Sequence, residues 1–177
     1  MKTRSYVRNI VLTAVCAALC VVVPMAFHAI PNAGSIFLPM HIPVLLCGML
    51  CGWPFGGLCG LIGPLLSSLT TGMPPAAMLP GIMVECCVYG AAAGLLMKHV
   101  RTGKLYLDLY LSLVPAMLAG RVISGIAKAL IFAPGTTLAV WAAGAFVTAL
   151  PGIIIQLVLI PAILFALTKA KLIPQRY

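Results

Sequence analysis

The chain has 177 residues, of which 63% are hydrophobic and only 7% are charged, and its mean hydropathy is +1.17. This composition lies far outside the range of soluble domains and indicates an integral membrane protein embedded in a lipid bilayer. The net charge of +9 does not indicate a nucleic-acid partner, because the basic residues form no solvated face and no aromatic residues are interleaved with them.

The apolar runs predict a single all-α domain over residues 1–177, a compact bundle of six transmembrane helices. The first run follows a basic segment, as in a signal peptide, but its length and the lack of a small-x-small cleavage site favour a retained span. The last run is long enough to contain a break, and Pro151 and Pro161 predict kinks there. We place the spans near residues 9–29, 39–53, 55–70, 76–97, 105–132 and 138–168.

The first predicted span carries a face of small residues. In TAVCAALC, Ala14 and Ala18 are four residues apart with Ala17 beside them, which is the small-xxx-small spacing that allows close helix contact. On spacing alone, packing inside the bundle is favoured over a surface that binds a partner protein.

Polar residues in two predicted outer loops are candidates for closing over a ligand. Asn32 lies in HAIPNAGSIFLP and Thr71 in TTGMPPAAM, and solvated turns are the simpler interpretation of both. His41, at the beginning of the second span, is a candidate either for ligand contact or for an interfacial position.

The positions of the cations predict the orientation of the bundle. Nine of them fall on one side of the six-span layout, and the opposite loops contain no Lys or Arg. The positive-inside rule therefore predicts that both termini lie in the cytoplasm. The nine are Lys2, Arg4, Arg8, Lys98, Arg101, Lys104, Lys169, Lys171 and Arg176.

Four charged residues lie inside the predicted spans. Asp108 is close to the basic loop and is expected to pair with Lys104, which leaves Glu85, Arg121 and Lys128. At 1.5 Å per residue, Glu85 lies about 14 Å and Arg121 about 16 Å below the outer surface, which predicts that they pair. Lys128 lies nearer the outer face and is predicted to lack a partner. A site whose surplus positive charge binds an anionic group such as a carboxylate explains all three residues. The alternative is a structural bridge with Lys128 extended to the headgroups.

Other chemistries lack their sequence signals. The seven cysteines lie in apolar runs with no histidine at ligand spacing, so we expect small buried thiols and no metal site. No cofactor is expected, and no GxxxxGK[ST] motif for ATP is present in the sequence. An intramembrane enzyme would have Ser67, Ser68, His41 and Glu85 available, but neither GxSG nor HExxH occurs. A secondary transporter is disfavoured by the small size and the single acid at depth.

Several stretches resemble one family. The basic start with TAVCAAL, then FLPMHIPVLLCGMLCG and GLIGPLLSSLTTGMPPAAMLPGIMVE, are similar to the substrate-binding S components of energy-coupling factor (ECF) vitamin transporters. The resemblance covers nearly the whole chain and implies a six-helix bundle in the cell membrane with a vitamin site in its outer half. It also implies that the helix carrying Ala14 and Ala18 docks on a T component, which works with two ATPase subunits. That makes a partner surface the better interpretation of this face.

The resemblance also narrows the ligand. A small carboxylated vitamin makes the best use of the surplus cations, and the region around HIPVLLCG is similar to the pantothenate group. Folate and biotin are also carboxylates, whereas thiamine and neutral pyridoxine make poorer use of Arg121 and Lys128.

Overall fold

The structure is a computed structural model that describes residues 2–27, 29–132, 135 and 137–171. All regular elements in these ranges are helical, which confirms the all-α prediction. Arg176, one of the nine cations used to predict orientation, lies outside the described residues. The helices are α1 (Lys2–Met25), α2 (Ala33–Phe37), α3 (His41–Cys51), α4 (Trp53–Thr71), α5 (Leu79–His99), α6 (Leu105–Ala127), α7 (Leu138–Ala142) and α8 (Leu150–Lys169), and π-helical segments Lys128–Phe132 and Ala143–Thr148 continue α6 and α7.

Five helical segments are long and apolar enough to cross a membrane: Tyr6–Met25, Ala33–Cys51, Leu79–His99, Leu105–Phe132 and Leu150–Lys169. They overlap five of the six predicted spans. The predicted span at 55–70 is also helical, as α4, but its sequence is richer in glycine and hydroxyl residues.

The predicted last span, 138–168, is not one helix. The chain leaves helical geometry at Ala149, where φ is −83° and ψ is 1°, and Pro151 follows in the first turn of α8. Proline fits the first turn of a helix because the amide hydrogen it lacks has no partner there. The break expected in this long run is therefore present, and it divides the run into Leu138–Thr148 and α8.

Helices α3, α4 and α5 approach one another closely because glycines line their contact. A Cβ atom on Gly56 or Gly90 would collide with the backbone of the other residue, and one on Gly60 would collide with the backbone of Cys86. Gly56 and Gly60, like Gly90 and Gly94, form the G-x-x-x-G spacing that permits such contact in membranes. We call this contact the glycine seam; it brings helix backbones together, whereas the small-residue face predicted from the sequence lies on α1.

Cysteines and small residues fill the interior beside this seam. All seven cysteines are free, and six of them are buried. Among the residues that the structure describes, no group of three His, Cys, Asp or Glu side chains is placed to hold a metal ion. The cysteines therefore act as small packing residues in a bundle whose helices lie close together.

Three parts of the chain meet at one end of the bundle. The rings of Tyr6 and Phe55 are 5.5 Å apart in an edge contact, and Asn9 Nδ2 donates to the Cys51 carbonyl at 3.3 Å. The backbone of Trp53 lies against Gly94 in α5. We call this end of the bundle the basic end. It contains the beginning of α1 with Arg8, the α3–α4 turn, and the end of α5 with the cations of 98–104.

The glycine seam can be tested with a single methyl group. We expect Gly90→Ala to destabilise the protein by about 1–3 kcal/mol, because the new Cβ meets backbone of α4 that cannot rotate away. Thermal unfolding of the purified protein in detergent measures the change. Gly34→Ala is the matched control, because a Cβ there meets open space. A Gly90→Ala protein as stable as the control would contradict the close contact.

Candidate functional site

Glu85 in α5 lies at the centre of a cluster of polar side chains. Its Oε1 atom is 3.7 Å from Nε2 of His41 in α3, and its Oε2 atom is 3.6 Å from Nζ of Lys128. Ser124 Oγ of α6 donates to Oε2 at 3.4 Å. The carboxylate thus connects two other helices and the π-helical segment that follows α6.

The prediction that Lys128 lacks a partner is wrong. Its methylene chain lies against Gly81, which is one turn before Glu85 on the same face of α5. Because Gly81 has no side chain, the ammonium group passes along the helix and reaches Glu85. A residue count along the helix gives the depth of the Lys128 backbone, whereas its long side chain carries the ammonium group to Glu85.

Arg121 does not form the predicted ion pair with Glu85. Within the described chain, the basic groups within 4.0 Å of the carboxylate are the His41 imidazole and the Lys128 ammonium group. Arg121 is instead buried, with 4% of its surface exposed; its Nη1 donates to the Ala145 carbonyl, and its Cζ lies 5.8 Å from the centre of the Phe146 ring. Equal depth did not produce pairing, because depth says nothing about the face of the helix from which a side chain projects.

Five buried polar atoms of this cluster have no hydrogen-bond partner among the described residues: Arg121 Nε and Nη2, the Tyr89 hydroxyl and both ring nitrogens of His41. The Tyr89 ring packs edge-on against the His41 ring, with centroids 5.2 Å apart, and lies against Gly120 beside Arg121. An unsatisfied buried polar group costs about 1–3 kcal/mol, so several of them in one place point to a ligand or ordered water. We call His41, Glu85, Tyr89, Arg121, Ser124 and Lys128 the polar cluster.

The segment Leu138–Thr148 covers the Arg121 side of the polar cluster. The Trp141 indole lies against Gly125 of α6, and its ring meets Phe146 edge-on with centroids 5.8 Å apart. Ala145 and Phe146, which contact Arg121, lie in the π-helical part of this segment. Such π-helical turns occur frequently at functional sites.

Gln156 in α8 is another buried polar residue. Its side chain is fully buried, and neither its amide nitrogen nor its amide oxygen has a hydrogen-bond partner in the described residues. The helix that carries it begins after the break at Ala149, so its depth does not follow from a residue count along one continuous sixth helix. Pro151 is the sequence signal for that break.

The structure does not bring the two outer-loop candidates into the polar cluster. Asn32 is exposed in a left-handed conformation before α2, with φ of 59°. Thr71 Oγ1 donates to the Ser67 carbonyl at 2.7 Å and accepts from the Met73 amide at 3.3 Å, so it stabilises the end of α4. Within the described chain, neither has a hydrogen bond or ion pair with the polar cluster.

The small residues of α1 divide between the surface and the core. Ala14 and Ala18 are exposed, whereas Ala17 is buried beside Cys16 and Cys20. Ala17 is therefore not available to a partner, in contrast to the prediction. The angle between successive helical residues, about 100°, explains the difference: residues 14 and 18 project together and residue 17 lies to one side.

These features define a multi-pass helical membrane protein with charged and polar side chains enclosed between its helices. The family of ECF transporter substrate-specific components matches residues 8–164. Since the match covers most of the chain, the protein belongs to this family. It is a transport subunit that binds a small substrate and not an enzyme, and S components associate with a T component and ATPases. Comparisons with curated proteins and with solved structures found no match.

The pairing of Glu85 can be measured with two double-mutant cycles. We expect Glu85→Gln and Lys128→Met to be coupled by about 0.5–3 kcal/mol, because the two groups are in contact. Coupling between Glu85→Gln and Arg121→Met is expected to be smaller, because Arg121 is bonded to Ala145. Denaturant unfolding of the four proteins of each cycle gives both energies. The opposite order would restore the pair predicted from depth.

Proposed function

We propose that this S component captures a small carboxylated vitamin, such as pantothenate, at the polar cluster. The observation that carries the proposal is the buried edge of Arg121, where Nε and Nη2 lack hydrogen-bond partners among the described residues. These two nitrogens donate from the same edge of the guanidinium group and match the two oxygens of a carboxylate. The Nη1 bond to Ala145 holds the group in place.

The charges of the polar cluster support an anionic ligand. Glu85 supplies one negative charge, whereas Lys128 and Arg121 supply two positive charges, before any protonation of His41. Since Lys128 already neutralises Glu85, the surplus charge belongs to Arg121. A charge left alone in a dry interior is unfavourable, and a ligand carboxylate removes this imbalance.

Two other unpartnered groups of the polar cluster support a ligand with further polar atoms. The Tyr89 hydroxyl and His41 Nδ1 are buried without partners in the described residues, and a ligand hydroxyl or amide would satisfy them. Pantothenate carries such groups together with its carboxylate. Folate and biotin remain alternatives on charge, whereas thiamine and neutral pyridoxine would leave the Arg121 edge without an anion.

The protein in this proposal crosses the cell membrane six times, and both of its termini lie in the cytoplasm. Helix α4 is the span that is added to the five long apolar segments. With 19 residues, α4 is about 28 Å long, close to the thickness of the hydrocarbon layer. Its hydroxyl groups are compatible with this position, because those of Ser67, Ser68, Thr70 and Thr71 all donate to backbone carbonyls. The cations of the basic end support the cytoplasmic placement.

The proposed partner surface is the exposed face of α1 around Ala14 and Ala18, which would dock on the T component of a module with two ATPase subunits. Both side chains are small and exposed, so a partner helix can approach the α1 backbone closely.

Arg121 provides the direct test of the ligand. We expect Arg121→Gln to weaken pantothenate binding about 10- to 100-fold, the range of a lost charge-assisted hydrogen bond. It should also abolish the preference for pantothenate over an analogue with an amidated carboxylate. Calorimetric titration of both compounds measures this, and Lys104→Gln is the control for loss of a distant cation. If Arg121→Gln keeps the preference, the carboxylate binds elsewhere.

Docking can be separated from binding on α1. Ala14→Trp and Ala18→Trp should leave vitamin affinity unchanged but abolish uptake and copurification of the T component, because the indole blocks close helix approach. Leu19→Trp is the control, since residue 19 is exposed but lies about 140° around the helix from residue 14. Normal uptake by both alanine variants would exclude this face as the docking surface.

A further inference from the structure

A groove of about 490 Å³ lies at the basic end of the bundle, and none of the residues that line it belongs to the polar cluster. It is formed by the end of α3, the α3–α4 turn and the last turns of α5. Its walls are mainly apolar and include Met49, Phe55 and Met97, and Lys98 and Arg101 supply its charged groups.

Backbone geometry creates the groove. Gly52 has φ of 92°, a conformation that favours glycine, and it reverses the chain between α3 and α4. Gly94 lets the backbone of Gly52 and Trp53 lie directly against α5. Trp53 lines the groove and is 52% exposed, which suits a tryptophan at the boundary between hydrocarbon and headgroups.

The charge of the groove is of one sign. Lys98 and Arg101 are both exposed, and neither of the two acids of the chain lines the groove. Lys98 lies in the last turn of α5, so the cations are at one limit of a membrane-spanning helix, and Met49 and Met97 line the groove beside them. The groove therefore combines cationic groups with an apolar wall.

We propose that this groove binds one anionic phospholipid, with its phosphate at Lys98 and Arg101 and an acyl chain along the apolar wall. Basic pockets between membrane helices at the cytoplasmic surface are suited to acidic headgroups. Free phosphate would leave the apolar wall uncovered, and a zwitterionic lipid brings its own cation to the two basic residues. The assignment to the cytoplasmic leaflet rests on the orientation proposed above.

The volume of the groove is about 490 Å³, which is in the range of sites for single small molecules, about 300–1,000 Å³. The proposed T-component surface around Ala14 and Ala18 is on α1, so lipid binding and docking involve different residues.

Native mass spectrometry of the full chain, released from detergent, tests the proposal with three probes: phosphatidylglycerol, phosphatidylcholine with the same acyl chains, and inorganic phosphate. We expect one phosphatidylglycerol to remain bound in the mass spectrum and to raise the unfolding temperature of the protein in a thermal-shift assay. The other two probes should do neither. Retention of phosphatidylcholine at the same level, or an equal effect of inorganic phosphate, would overturn the proposal.

Variants then locate the lipid. Lys98→Gln combined with Arg101→Gln should weaken phosphatidylglycerol binding about 30-fold, given the contribution of each basic residue near a membrane surface. Lys104→Gln with Lys169→Gln removes the same charge outside the groove and should have little effect. Met97→Trp should weaken binding by filling the groove without changing charge.

Vitamin affinity should be unchanged in all three variants, which separates this site from the polar cluster. Equal lipid binding by the two charge variants would show non-specific attraction and reject the groove.

Discussion

A buried carboxylate in a membrane protein needs partners, and the arrangement of the helices around Glu85 follows from that need. An ionised group in hydrocarbon costs several kcal/mol unless it is paired, so α5 is stable only with its acid in contact with groups from other helices. His41 comes from α3, while Ser124 and Lys128 come from α6 and its π-helical continuation. The carboxylate therefore fixes the relative positions of three segments that are distant in sequence.

Glycines allow the helices around Glu85 to pack closely, and each glycine makes room for a different neighbour. Gly90 and Gly56 bring α4 and α5 into backbone contact, and Gly48 brings α3, which carries His41, against the same place on α5. Gly81 leaves room for the Lys128 side chain, and Gly120 leaves room for the Tyr89 ring. Because apolar burial does not drive helices together inside a lipid bilayer, close packing of small residues has to supply this association. The same absence of side chains that allows packing also gives the charged groups their paths to Glu85.

The sequence predicted the helical class, most of the spans and the charged residues Glu85, Arg121 and Lys128 inside them, because each depends on composition or on charges in an apolar run. It did not predict which of these charged groups form pairs. A residue count along a helix gives depth, but pairing depends also on the face of the helix and on side-chain length, so Arg121 was paired with Glu85 and Lys128 was left alone. Ala17 was misplaced for a related reason, because adjacency in sequence does not mean adjacency on a helical face. The burial of Gln156 likewise depends on how α8 packs after the break at Ala149, which a residue count does not give.

Because Lys128 pairs with Glu85, the cation left for a ligand is the Arg121 guanidinium group and not the Lys128 ammonium group. Lys128 is 36% exposed at its side chain and flexible, so as the surplus charge it would recognise almost any anion. Arg121 is buried, bonded through Nη1 to Ala145 and placed beside the Phe146 ring, so its free edge points in a fixed direction. A fixed fork loses little freedom on binding and accepts a planar carboxylate better than an anion of another shape. Leu138–Thr148 holds this fork through the Ala145 carbonyl and packs on α6 through Trp141 at Gly125, so the direction of the Arg121 edge depends on where that segment lies. Selection of a carboxylate at the proposed site therefore depends on the contacts of Leu138–Thr148 as well as on Arg121 itself.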